Sequence, residues 1–86
     1  MRSGVHLPEL DCRAPRLSVW FVRVGDAVMR GERLVEILVE GATIDITAPV
    51  TGRLAERHAQ PDDALTTGQL LATLESAESI DDLTGG

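Results

Sequence analysis

The sequence contains no lysine. All eight of its basic residues are arginine, and it has no tyrosine, one tryptophan, one phenylalanine and one cysteine among 86 residues. Each scarcity excludes something. Without lysine there is no side-chain amine to acylate or to form a Schiff base, and a guanidinium, permanently protonated, does not replace it. Two aromatic residues are too few for a surface that stacks nucleobases. Fourteen acidic residues against eight basic ones give a formal charge of −6, which repels phosphate backbones, so nucleic acid is not an expected partner. Cys12 has no second cysteine with which to form an internal disulfide. No apolar run reaches the length of a membrane helix and no signal-peptide pattern is present, so the expectation is a soluble, cytoplasmic protein with no membrane partner.

What is present is short, β-branched and punctuated. Val5 to Pro8 reads as a first strand closed by Pro8, which donates no backbone hydrogen bond. Glu9 to Arg16, with Asp11, Cys12 and Pro15, has no period and reads as a loop. Leu17 to Val24 alternates as one strand, with Trp20 and Phe21 on opposite faces. Gly25-Asp26 breaks it, Ala27-Val28 follows, and Arg30-Gly31-Glu32 turns again. Leu34 to Val39 and Thr43 to Thr47 are two further strands, joined at Glu40-Gly41. Arg53 to His58 fits strand or helix by its own pattern. Gln69 to Glu75 is the last strand.

An internal repeat decides the ambiguous piece. Gly25-Asp26-Ala27-Val28, Gly31, Leu34 and Ile37 recur as Asp62-Asp63-Ala64-Leu65, Gly68, Leu71 and Leu74, at a constant offset of 37. Two copies are too few for a solenoid. They are better read as two halves that bury each other's apolar faces. The expected fold is all-β: a small flattened barrel or sandwich of two antiparallel sheets with an internal pseudo-two-fold repeat. Residues 1–75 form the domain, and 76–86 form an acidic tail or linker stub. The expected core draws on Val22, Val24, Val28, Leu34, Ile37, Ile44, Ile46, Val50, Leu65, Leu71 and Leu74.

No catalytic constellation or phosphate loop stands out, and His6, His58 and Asp11 match none of the compact metal-ligand spacings, so neither an enzyme nor a metal site is expected. Cys12 would need a depressed pKa to serve as a carrier thiol, for which Arg13 is its only sequence neighbour of positive charge.

In order and spacing, Leu7-Pro8-Glu9-Leu10, Trp20 to Val28, Glu40 to Ile46, Ala48-Pro49-Val50-Thr51-Gly52 and Gly68-Gln69-Leu70-Leu71 resemble the biotinyl/lipoyl attachment domains. The closest resemblance is to the lipoyl domains of 2-oxo acid dehydrogenase acyltransferases. The resemblance implies a lipoyl-like barrel-sandwich hybrid, and an attachment lysine at the hairpin tip, eight residues before Pro49. In this sequence that position is Gly41, flanked by Glu40 and Ala42. The implied function is a non-catalytic binding or assembly module with no bound cofactor, linked to a 2-oxo acid dehydrogenase or carboxylase-type system. It would meet a protein partner through Glu40, Gly41, Ala42, Thr43 and Asp11, with Asp26 and Asp45 on the same acidic surface. Glycine there also suits a hairpin turn that needs positive φ. Alternative readings are a carrier working through Cys12 or a C-terminal Gly86 thiocarboxylate, or a working lipoyl carrier whose lysine has been changed to glycine.

Overall fold

The computed structural model of the chain describes residues 1–10 and 13–76. Among them are seven strands and no helix: β1 (Arg2–His6), β2 (Arg16–Trp20), β3 (Ala27–Val28), β4 (Arg33–Val39), β5 (Ala42–Thr47), β6 (Gly52–Arg57) and β7 (Leu70–Ser76). All pairings are antiparallel. One sheet has the order β1-β7-β6-β3 and the other β2-β4-β5, which Ala64 extends by an isolated bridge to Arg16. The stretch 53–58, ambiguous by pattern, is strand through Arg57.

The repeat is a structural two-fold. Ala27 pairs with Arg53, and Ala64, 37 residues after Ala27, pairs with Arg16, 37 residues before Arg53. The hydrogen bonds duplicate in the same way. Gly25 N–H donates to Leu54 C=O and Leu54 N–H to Asp26 C=O, while Asp62 N–H donates to Leu17 C=O and Leu17 N–H to Asp63 C=O. Each half therefore lends its short segment to the other half's sheet, and neither sheet is complete without both.

Burial follows the same rule. Six core residues have mates 37 positions on: Leu17 with Leu54, Val22 with Ala59, Val28 with Leu65, Leu34 with Leu71, Val35 with Ala72, and Ile37 with Leu74. Two further pairs, Val5 with Ile46 and Leu7 with Ala48, complete the buried apolar set among the described residues at an offset of 41. The change from 37 to 41 lies between β1 and β2: Leu7 and Leu17 are ten positions apart, whereas their mates Ala48 and Leu54 are six apart. The extra residues fall in the loop that carries Asp11 and Cys12, two residues outside the described set.

Several expectations change. The strand expected over 17–24 ends at Trp20, because the chain bends at Phe21-Val22 and turns through Arg23 to Asp26. Val24, expected in the core, lies on that turn and is 56% exposed. The first strand begins earlier, at Arg2, and stops at His6. Ile44 and Val50 are partly buried and pack against the core instead of forming it. Leu7, Leu17, Val35 and Leu54, absent from the expected core, are fully buried. Bulges between Leu17 and Val19, between Arg33 and Val35, and between Leu54 and Glu56 explain part of this. A bulge shifts the alternation by one residue, so the consecutive Leu34 and Val35 both point inward.

Candidate functional site

The hairpin between β4 and β5 is the tightest that two strands can form. Val39 and Ala42 are Cα partners, leaving Glu40-Gly41 as a two-residue turn. The φ angles are +41° at Glu40 and +84° at Gly41, the double positive value that a type I′ turn requires. This turn matches the twist of the flanking strands, and glycine adopts its second position without strain. Glu40 bears the cost, roughly 1 kcal/mol for a residue with a Cβ in the left-handed region. A Cβ added at Gly41 would meet nothing within 4 Å, so the tip stands clear of the body.

Glu40, Gly41, Ala42 and Thr43 are all exposed. Among the described residues Glu40 has no ion-pair or hydrogen-bond partner, so its carboxylate is available to solvent or to another molecule. β2 starts beside the end of β4, with Arg16 opposite Leu38, which brings the residues just before Arg16 to the same end of the sheet as the tip. Asp11 precedes them in the chain but lies outside the described residues.

The two other acids expected near the tip are engaged elsewhere. Asp26 accepts a hydrogen bond from Arg23 N–H at 2.8 Å and closes its own turn. Asp45, three residues from the hairpin along β5, pairs with Arg33 at 3.5 Å. The Arg33 guanidinium also covers the Phe21 ring, 4.7 Å from its centre. His6 lies on β1, whereas His58 hydrogen-bonds with the Thr73 hydroxyl at 2.9 Å and stands 3.4 Å from Glu56. No group of three or more His, Cys, Asp or Glu side chains gathers to hold a metal among the described residues.

Sequence reasoning did not find a shallow cleft of about 350 Å3 between the outer edges of β1 and β5. Gly4, Val5, His6 and Pro8 line one side, and their mates Asp45, Ile46, Thr47 and Pro49 line the other. The 41-residue offset between these two sets was the available signal. His6, Asp45 and Thr47 bring one imidazole, one carboxylate and one hydroxyl to the cleft, too few to hold a metal among the described residues, and the hairpin tip is the feature that sets one end of the molecule apart.

A two-sheet, two-fold β domain presenting one hairpin is the class that this geometry defines. The family model described as "Biotin-requiring enzyme", the biotin/lipoyl family, matches residues 10–74, and the chain belongs to that family. It is 38% identical over 59 residues to the lipoamide acyltransferase component of the branched-chain alpha-keto acid dehydrogenase complex of Pseudomonas aeruginosa, covering 69% of this chain and 14% of that protein. It is 31% identical over 78 residues to the dihydrolipoyllysine-residue succinyltransferase component of the 2-oxoglutarate dehydrogenase complex of Bartonella vinsonii, covering 88% of this chain and 19% of that protein. The chain thus spans less than a fifth of the length of these curated relatives. Among solved structures, the lipoyl domain of the 2-oxoglutarate dehydrogenase complex of Azotobacter vinelandii has the same fold, with a TM-score of 0.68, 22% identity, and coverage of 84% of this chain and 96% of that one. The resemblance read from the residues and the all-β, two-sheet fold expected from the repeat both hold.

Proposed function

We propose that this chain is a lipoyl-like domain that carries neither lipoate nor biotin on a lysine and acts as a non-catalytic binding or assembly module. The system it serves is of the 2-oxo acid dehydrogenase or carboxylase type, in a cytoplasmic setting, and its contact surface is Glu40, Gly41, Ala42 and Thr43 with Asp11. One observation carries the reading: the projecting hairpin turn of an attachment-family domain bears Gly41, in a chain with no lysine anywhere. Amide attachment needs a side-chain amine, and glycine offers none. The exposed tip with its unpaired Glu40 carboxylate keeps the shape and charge a partner could read.

The test is intact-mass spectrometry after co-expression with a lipoate ligase. The chain as it stands is expected to keep its unmodified mass, and Gly41→Lys to gain one lipoyl group, since the added side chain meets open space. A lipoyl or biotinyl mass on the unaltered chain would sink the proposal. For the partner, an isotope-labelled sample titrated with a 2-oxo acid dehydrogenase component from the same host should shift the amide signals of residues 40–43. Shifts confined to the far end of the sheets would place the contact elsewhere.

A further inference from the structure

The internal two-fold provides a control within one molecule, because a position on one sheet has a mate that performs the same folding task on the other. On the β1-β7-β6 side, where Leu70 is 36% exposed, four exposed polar or charged residues are tied together. Arg2 reaches Glu56 at 3.7 Å and Glu75 at 3.3 Å, and His58 reaches Glu56 at 3.4 Å. The mates of Glu56, Glu75 and His58, each 37 residues earlier, are Val19, Leu38 and Phe21. These are 42%, 42% and 41% exposed.

The three apolar residues share one face. Val19 stands opposite Glu36, and Leu38 is the next outward residue along β4. Glu36 in turn stands opposite Asp45, which reaches Arg33 and, through it, the Phe21 ring. A sheet with one wet face normally places polar residues there. The fold does not require apolar residues at these places, since the sister sheet is built with two glutamates and a histidine.

We propose that the outer face of the β2-β4-β5 sheet is where two copies of this chain meet across a two-fold axis. The charge pattern selects this occupant. Two copies of a chain with a formal charge of −6 repel each other, yet this face carries Arg16 and Arg33 against Glu36 and Asp45, an even balance. Arg16 has no ion-pair partner among the described residues, and the Glu36 carboxylate accepts a hydrogen bond from the Ser18 hydroxyl at 3.0 Å. An isologous contact centred near Leu38 brings each copy's Arg16 to the other's Glu36, with Leu38 and Val19 closing the middle. A strongly basic or strongly acidic partner finds no opposing net charge here. Three strands about 4.8 Å apart and about six residues long give a face of only about 300 Å2 in projection. Stable pairs bury about 800 Å2 per partner, so the dimer is weak, with a Kd on the order of 100 μM. The proposal is independent of what the hairpin tip carries.

Sedimentation equilibrium of the full chain from about 10 μM to about 1 mM tests it, a range that brackets such a Kd. The average mass is expected to rise with concentration toward that of a dimer. The double variant Val19→Glu, Leu38→Glu, which copies the sister sheet, should keep the wild-type circular dichroism and associate at least tenfold more weakly. Arg16→Glu should weaken association, and adding Glu36→Arg should restore it. A wild-type chain that stays monomeric up to the highest concentration overturns the proposal. So does a correctly folded double variant that associates as well as wild type.

Discussion

Arg57 holds its guanidinium carbon 5.4 Å from the centre of the Trp20 ring, and the two residues are mates in the repeat, 37 positions apart. Mates that touch must lie close to the two-fold axis, so this contact marks where the halves of the molecule face each other. The Trp20 indole N–H is fixed as well, donating to the Ala59 carbonyl at 3.0 Å. One half contributes an aromatic surface and the other a cation at the same repeat position, so the repeat is symmetric in backbone but complementary in side chain.

Trp20→Ala removes the packing and the hydrogen bond together and is expected to cost about 3 kcal/mol. Arg57→Ala removes only an exposed cation from the ring face and should cost about 0.5–1 kcal/mol. Urea denaturation followed by circular dichroism measures both. Equal costs would mean that the cation, and not the indole, secures the axis.

Asp26 and Asp63 close equivalent turns, accepting from Arg23 N–H at 2.8 Å and from Gln60 N–H at 2.9 Å. Replacing either with alanine leaves a turn amide to solvent, for a loss of about 1 kcal/mol. The two losses should agree within a few tenths of a kcal/mol in thermal or urea unfolding. A large difference would show that the halves are energetically unlike despite matching geometry.

Two glycines should respond in opposite ways to alanine. At Gly52, where β6 runs under β7, a Cβ would collide with the Glu75 carbonyl and come within 2.9 Å of Ser76 Cα, both backbone groups that cannot step aside. Gly52→Ala is expected to cost about 3 kcal/mol or more, or to prevent folding. Gly41→Ala meets open space and pays only for its positive φ, about 1 kcal/mol. Thermal unfolding of the two variants side by side decides it.

Leu17 and Leu54 are fully buried mates. Each leucine-to-alanine change should cost about 3 kcal/mol, which is a large part of the stability of so small a domain. Guanidinium titration should place the two midpoints close together. A near-neutral result at either position would show that its cavity collapses.

Much of the architecture was legible because the repeat is written in residues with strong local meaning: a turn glycine or aspartate, then small and aliphatic positions at fixed intervals. The backbone hydrogen bonds reproduce that interval. Val24 was misplaced for a local reason. Alternation from Leu17 onward looks continuous in the sequence, but the Asp26 carboxylate accepts from Arg23 N–H and closes a turn there, a local contact that the alternation does not encode. The buried Leu34-Val35 pair was obscured by a bulge, which changes which residues face inward without changing composition. The hairpin was legible down to its two turn residues, since Glu40-Gly41 is short and glycine-bearing between two alternating runs. The outward stripe of Val19, Leu38 and Phe21 was not, because exposed apolar residues become notable only when the sister sheet shows what else those positions accept.

The pairing of β1 with β7, which sets Arg2 opposite Glu75, is the repeat mate of the pairing of β4 with β5. One of these two antiparallel pairs is joined by a covalent turn and the other is not. A chain opened at Glu40-Gly41 and rejoined by a short turn between Ser76 and Met1 would therefore have the same topology, with the two halves exchanging names. The hairpin link then contributes to stability chiefly through the loop entropy it saves, and the two sheets do not depend on it for their shape. Beyond the positive φ that the turn imposes on both, Glu40 and Gly41 are correspondingly free to be set by what they meet outside the molecule.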